Sequence, residues 1–513
     1  MSRRVLAVLA AAALGACAGP RSATPPAPAA PAPAAQAPAP APPASAAPAA
    51  AGPDRSTVPE NGPAPELRLP EQKHFALSNG LRVRLVEYRR LPIVALNMVL
   101  DAGGARDPAR LPGLASFTAA MLTEGTRTRS ATRISDEVGF LGASLSAGAS
   151  PDAASLGGAT LAKHLPAFLE VFADVAMSPA FPKADFARVQ DQRLVTLLQQ
   201  RDQPQALASR AFAPVFWGGK SPYGHYLLGT EEAVKATVPK DLAAFHERYW
   251  RPGNAELVVV GDVTEADLRP LLERTLGKWK PGVKVTPLAP APAAAPKRTV
   301  LLEKADAPQA YLLIGMPGLL RSSDEFVAAS VAFQVLGGGM SSRLFRNLRE
   351  DKGYTYGVYA RGDSRRLAGV SFVVGSVKAD VTGPALKELL KEIALLRDEP
   401  VSQAELDDAK NALVLGLPAD FAAAGAIAGR LGELAIYGLP DDYWNRYAEN
   451  VRKVTAEDVR RFAVERLDPA RLTLVMVANP AVVKPQLAEL PLGPIEERPA
   501  PVAGGPAPAK GAR

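Results

Sequence analysis

The chain has 513 residues, 47% of them hydrophobic, which leaves room for about two to four domains with their own cores once the low-complexity ends are set aside. Its net charge is +7. Lysine and arginine are scattered, with no basic stripe interleaved with aromatics. This argues against a nucleic-acid partner and leaves a mild preference for anionic surfaces.

In chain order, Arg3 and Arg4 precede a short apolar run, Val5 to Leu14, too short to span a bilayer as a mature helix. The stretch "LGAC", Leu14 to Cys17, resembles a bacterial lipobox. That resemblance implies cleavage before Cys17 and lipid on its thiol, so residues 1–17 read as a lipoprotein signal peptide. The alternative is an ordinary signal peptide with an incidental cysteine. Cys17 is the only cysteine, so the mature chain has no other thiol for disulfides, zinc or nucleophilic catalysis. Ala18 is not the aspartate that cues inner-membrane retention. The expected location is therefore a lipid anchor in the outer membrane, facing the periplasm. Residues 18–70 are Ala/Pro-rich and read as a disordered tether.

The first folded block is expected over 71–280. Strands are predicted at "LRVRLVEY" (81–88) and "IVALNMVLDAG" (93–103). Helices follow over 111–122, 167–177, 184–200 and 239–250, then a buried strand at "AELVVVGDV" (255–263). A Pro/Ala linker occupies 281–297. A second block spans 298–480, and the Pro/Gly/Ala-rich residues 481–513 read as a disordered tail. The blocks repeat each other. "VPKDLAAFHERYWRPGNAELVVVGD" from Val238 aligns without a gap on "TAEDVRRFAVERLDPARLTLVMVAN" from Thr455, sharing Asp241/Asp458, Phe245/Phe462 and Pro252/Pro469. A repeat this long is a duplicated domain. The predicted fold class is α+β: two duplicated α/β sandwich domains, each an antiparallel-rich sheet covered by helices.

Four stretches carry a family resemblance: "LSNGLRVRLVE" (77–87), "SPYGHYLLGTEEAV", "FHERYWRPGNAELVVVGDV" and "LGGGMSSRLFRNLREDKGYTYGV" (336–358). Together they make residues 71–479 resemble the insulinase (pitrilysin) metallopeptidases of the mitochondrial-processing-peptidase type. In active members an H-x-x-E-H helix binds Zn²⁺ through two histidines, and its glutamate is the general base. Here the frame of that helix is intact from Gly113 to Thr126. The histidine positions hold Ser116 and Ala120, and the glutamate position holds Ala119. The distal ligand position falls at Thr196. The four histidines, His74, His164, His225 and His246, form no ligand spacing. The resemblance therefore implies no metal and no catalytic residue in this chain.

In the same resemblance Arg349 and Tyr356 match a pair that holds substrate backbone near the scissile bond. A guanidinium and a phenol are suitable donors to carbonyl oxygens. Read alone, Arg349 could cap or salt-bridge a helix and Tyr356 could be a strand-core aromatic. Gly337, Gly338 and Gly339 end a helix, and Ser341 and Ser342 can cap the next. They read either as a tight joint or as a flexible substrate-contacting segment. The implied function is the non-catalytic subunit of a periplasmic zinc endopeptidase. It would bind peptide for an H-x-x-E-H partner that carries the Zn²⁺. The alternatives are a scaffold protein using the same fold and, less favoured, an active peptidase with unusual ligands.

Overall fold

Two six-stranded mixed sheets form the frame of the chain, in a computed structural model that describes residues 56, 67–282, 284–289 and 297–500. The first sheet contains β1 (Gln72–Ala76), β2 (Arg82–Glu87), β3 (Ile93–Leu100), β4 (Ser144–Ala149), β5 (Ala154–Leu161) and β6 (Ala255–Gly261), in the order β1-β2-β6-β3-β5-β4. The second contains β7 (Arg298–Glu303), β8 (Gln309–Pro317), β9 (Thr355–Ser364), β10 (Gly369–Lys378), β11 (Thr473–Ala478) and β12 (Ile495–Pro499), in the order β12-β7-β11-β8-β10-β9. The helices of the first half are α1 (Leu114–Met121), α2 (Ala131–Phe140), α3 (Leu165–Met177), α4 (Lys183–Gln199), α5 (Pro204–Trp217), α6 (Glu231–Ala236), α7 (Pro239–Tyr249) and α8 (Glu265–Arg274). Those of the second are α9 (Phe326–Gly337), α10 (Arg343–Phe345), α11 (Thr382–Asp398), α12 (Gln403–Gly416), α13 (Ala424–Tyr437), α14 (Tyr443–Lys453), α15 (Ala456–Arg466) and α16 (Pro480–Leu487).

The duplicated α+β fold is as the sequence predicts, and five of the six strands correspond between the two sheets in order and pairing. The sixth strand differs. In the first sheet β1 precedes β2 and pairs antiparallel with it. In the second, the segment before β7 is the Pro/Ala linker, and β12 pairs parallel with β7 from the chain's far end. Over the described residues, 481–500, this corrects the reading of 481–513 as a disordered tail. Val483, Leu487 and Leu492 are buried, and 480–499 folds as α16 and β12. An edge strand tolerates the proline that ends β12. Cys17, the signal peptide, most of the tether and residues 501–513 lie outside the described residues.

The central strands are apolar on both faces, as strands buried on both sides must be. Along β6, Leu257 and Val259 face α1, α3 and α7, whereas Val258 and Val260 face the other way. That second face is not covered by the first half. α13 lies across β3 and β6, with Ile427, Ala428 and Leu431 in one core with Ala95, Val258 and Val260. The exchange is reciprocal. α5 lies across β7, β11 and β8, with Leu207, Phe212 and Phe216 in one core with Val300, Leu313 and Val475. Residues 67–500 consequently belong to one compact unit.

Polar bonds follow the same seam. The buried Asp152 of the first half accepts from the Tyr223 hydroxyl, from the Tyr437 hydroxyl (3.2 Å) and from the Arg366 backbone N–H (3.0 Å). Buried Arg84 donates to Gln72 (2.6 Å), Glu256 (3.0 Å) and Asp441 (2.5 Å). His246 on α7 is buried, hydrogen-bonded to the Ala176 carbonyl (2.9 Å) and stacked on Trp250. Burial pushes its pKa down to about 4.

Two outcomes follow. Leu431→Ala removes about 2–5 kcal/mol of stability, and hydrogen exchange should show the loss of protection in β3 and β6, far from residue 431 in sequence. For His246 the unfolded chain takes up a proton near pH 6.5, which the folded chain refuses until about 4. Stability therefore falls as pH drops through that window, by up to about 3 kcal/mol from this residue. Denaturant melts of His246→Gln should show a flatter pH profile.

Candidate functional site

The Gly113–Thr126 helix is held at its N-terminus by a carboxylate that the sequence reading missed. Asp107, its side chain fully buried, accepts from the backbone N–H groups of Gly113 and Ala115, both at 2.7 Å. His225 donates from Nε2 to the same carboxylate at 3.0 Å. Negative charge at a helix N-terminus is the favourable sign. Gly113 adopts φ +91°, and a Cβ there would lie 2.7 Å from the Gly229 backbone nitrogen. Only glycine lets the 226–229 turn approach the helix this closely.

The former ligand positions hold no metal-binding set. The Ser116 hydroxyl donates to the Leu227 carbonyl at 2.6 Å and accepts from Arg193. Ala119 is buried, Ala120 is half-buried, and neither offers a donor atom. Thr196 does not face this helix. It is exposed on α4 and donates back to the Gln192 carbonyl (2.9 Å). The α4 residue that meets Ser116 is Arg193, one turn earlier. Its guanidinium also donates to the carbonyls of Gly113 and Leu228, each at 3.3 Å, and lies 5.0 Å over the Phe117 ring. Burial pushes its pKa down to about 10, so it stays charged at neutral pH. A cation thus already sits against the one remaining hydroxyl. Zinc requires anionic or neutral N, S or O donors, and the residues present do not fit it. Among the described residues no group of three or more His, Cys, Asp or Glu could hold a metal ion. Glu124, at the helix end, is ion-paired with Arg188.

Arg349 and Tyr356 come together. The Arg349 guanidinium lies 4.4 Å from the Tyr356 ring centroid and 4.6 Å from that of Phe345. Each stands on irregular backbone. Residues Arg346–Asp351 form a π-helical turn, anchored by buried Leu348 and by Asn347, which donates to Glu388 (3.0 Å) and Glu392 (2.6 Å) of α11. Tyr356 is the extra residue of a β-bulge, since Gly357 and Thr355 pair with consecutive residues of β10. Such irregularities re-aim side chains and recur at functional sites. Tyr356 is 80% exposed, so it is not a core aromatic. Arg349 has no ion pair or side-chain hydrogen bond among the described residues, so it is not a salt-bridge or cap residue.

The glycine segment divides. A Cβ on buried Gly337 would come 2.3 Å from the Ala360 nitrogen, so this glycine lets α9 pack on β9. A Cβ on exposed Gly338 would come 2.6 Å from the Gln334 Cα, so it too is held by packing on α9, and only Gly339, whose Cβ would meet nothing closer than 3.5 Å, is free of close neighbours. Ser342 occupies the N-cap position of α10, but its hydroxyl donates backwards to the Gly339 carbonyl (2.5 Å) and makes no side-chain cap. This tightens the joint instead of capping the helix.

Comparison with known proteins gives the family. Residues 82–219 match the model of the insulinase family, peptidase family M16, and residues 237–413 match the model described as the peptidase M16 inactive domain. The chain belongs to the insulinase family. It is 25% identical over 338 residues to an uncharacterized zinc protease of Bacillus subtilis, covering 66% of this chain and 81% of that one. It is 26% identical over 404 residues to an uncharacterized zinc protease of Mycobacterium leprae, covering 76% and 88%. The crystal structure of a peptidase M16 inactive domain from Pseudomonas fluorescens superposes with TM-score 0.75 and 26% identity, over 84% of this chain and all of that one. A protease structure from Helicobacter pylori, 19% identical with TM-score 0.73 over 80% of this chain, shares the fold. Within the insulinase family this chain is an inactive-type, zinc-protease-like member.

Rebuilding the motif tests the role of Arg193. The Ser116→His/Ala119→Glu/Ala120→His chain should purify with little zinc, because the Arg193 charge remains in place. Adding Arg193→Glu should raise zinc content toward about one equivalent by supplying a third ligand. Elemental analysis of both variants reads the difference, and stoichiometric zinc in the first would contradict it.

Proposed function

We propose that this chain is the zinc-site-deficient subunit of an insulinase-family endopeptidase. It binds and orients peptide for a homologous partner chain that carries H-x-x-E-H and the zinc. The proposal includes a lipid anchor at Cys17 that keeps the assembly at the periplasmic face of the outer membrane.

The observation that carries this reading is the contrast between the two candidate sites. The metal position is filled by Arg193, whereas Arg349 and Tyr356 are left accessible on re-aimed backbone. A bidentate guanidinium beside a phenol can grip adjacent carbonyl oxygens of an extended peptide. Held over the Tyr356 ring, the guanidinium is partly pre-oriented, so less side-chain entropy is lost on binding. The chain's contribution is therefore to fix the peptide and to stabilise charge that develops on a carbonyl oxygen. Proton transfer and metal chemistry belong to the partner.

In a co-purified complex, Arg349→Ala is expected to lower kcat/KM for peptide cleavage roughly tenfold to a hundredfold. Tyr356→Phe should lower it less, with zinc content unchanged in both. A complex that cleaves at wild-type rates with both variants would assign the fold a scaffold role instead.

A further inference from the structure

A cleft of about 250 Å³ lies between the halves. One wall is α5 and the turn after it, with Phe212, Trp217 and Tyr223. The other is the second sheet at the margin of α5, with Tyr311 and Phe372 packed against the helix and Arg361 exposed beside them. The charged lining groups are His225, Arg361, Asp363 and Arg365. Three of them are committed: His225 to Asp107 at 3.0 Å, and Arg365 to Asp363 at 2.7 Å. The Arg361 side chain has no ion pair or hydrogen bond among the described residues. Its guanidinium lies 5.5 Å from the Phe372 centroid, and that ring packs 5.1 Å from Phe212.

An uncommitted guanidinium above an aromatic floor recognises a specific chemistry. The planar donors fit a carboxylate, and the rings beside them fit a bulky apolar group. The cleft's position connects both candidate sites. β9 carries Tyr356 near its start and Arg361 five residues on, while Leu227 on the opposite wall is the residue whose carbonyl accepts from Ser116.

Resting on the reading of this chain as a peptide-orienting subunit, we infer that the cleft is a specificity pocket for a peptide residue with a bulky apolar side chain adjacent to a carboxylate, held by Arg361. The carboxylate can come from a neighbouring Asp or Glu or from the peptide's own C-terminus.

Fluorescence anisotropy on the purified full chain, without a partner, tests this with labelled peptides. One pair has blocked ends and differs as Phe-Glu against Phe-Gln. A second pair ends in Phe with a free or an amidated terminus. The charged member of at least one pair should bind roughly tenfold tighter or better, and which pair does so identifies the source. Arg361→Ala should abolish the preference and Arg361→Lys should restore part of it. Arg361 is exposed, so both variants should melt as the wild type does. Equal binding of charged and neutral peptides, an undiminished preference in Arg361→Ala, or no binding in any arm would overturn the inference. Since no partner is present, these results are independent of the cleavage assay on Arg349→Ala.

Discussion

Two sheets with two apolar faces each need four covers, and each half supplies one cover to itself and one to the other. α13 closes the first sheet and α5 closes the second. Everything else in the molecule depends on this exchange. It fixes the distance between the halves, leaves β9 and part of β10 uncovered on one face, and so creates the cleft beside α5. The buried Asp152 cluster and the Arg84–Asp441 bonds lie along the same seam. They specify one relative placement where apolar packing alone would tolerate small slips.

Where the family resemblance would put zinc ligands, the helix carries Ser116, Ala119 and Ala120 beside the carbonyls of Gly113, Leu227 and Leu228. Arg193 donates to the Gly113 and Leu228 carbonyls and Ser116 to the Leu227 carbonyl, and the guanidinium places a positive charge beside Asp107 and fills space over Phe117. Without Arg193 the Leu228 carbonyl would lose this side-chain donor, a cost of about 1–3 kcal/mol.

Much of this was legible beforehand. The repeat and the alternation of apolar strands with amphipathic helices gave the architecture, because burial on both faces writes unbroken runs such as "ELVVVG". That Ser116, Ala119 and Ala120 stand where the resemblance puts metal ligands was readable because the surrounding Gly113 to Thr126 frame matches it. Thr196 was misplaced because counting residues along a helix ignores its phase. The buried positions of α4 are Phe186, Val189, Arg193 and Leu197, a helical stripe in which the arginine is the odd member. That stripe was the available signal, and it was obscured because charged residues on helices are ordinarily solvated. Asp107 and His225 meet only through tertiary folding, 118 residues apart. The helix exchange left no local trace, since α5 and α13 look like any other covering helix. Residues 480–499 were hidden by their prolines, although Val483, Leu487 and Leu492 carried the apolar spacing.

The exchange also sets an order of assembly. A chain emerging from its N-terminus cannot complete its first half when that half has been made, because α13 begins only at residue 424. Nor can it complete the second sheet before β12, which begins at residue 495. Both halves must therefore wait, with apolar faces open, and then close almost together. Such a chain has high contact order and a long window in which its sheets are vulnerable to aggregation.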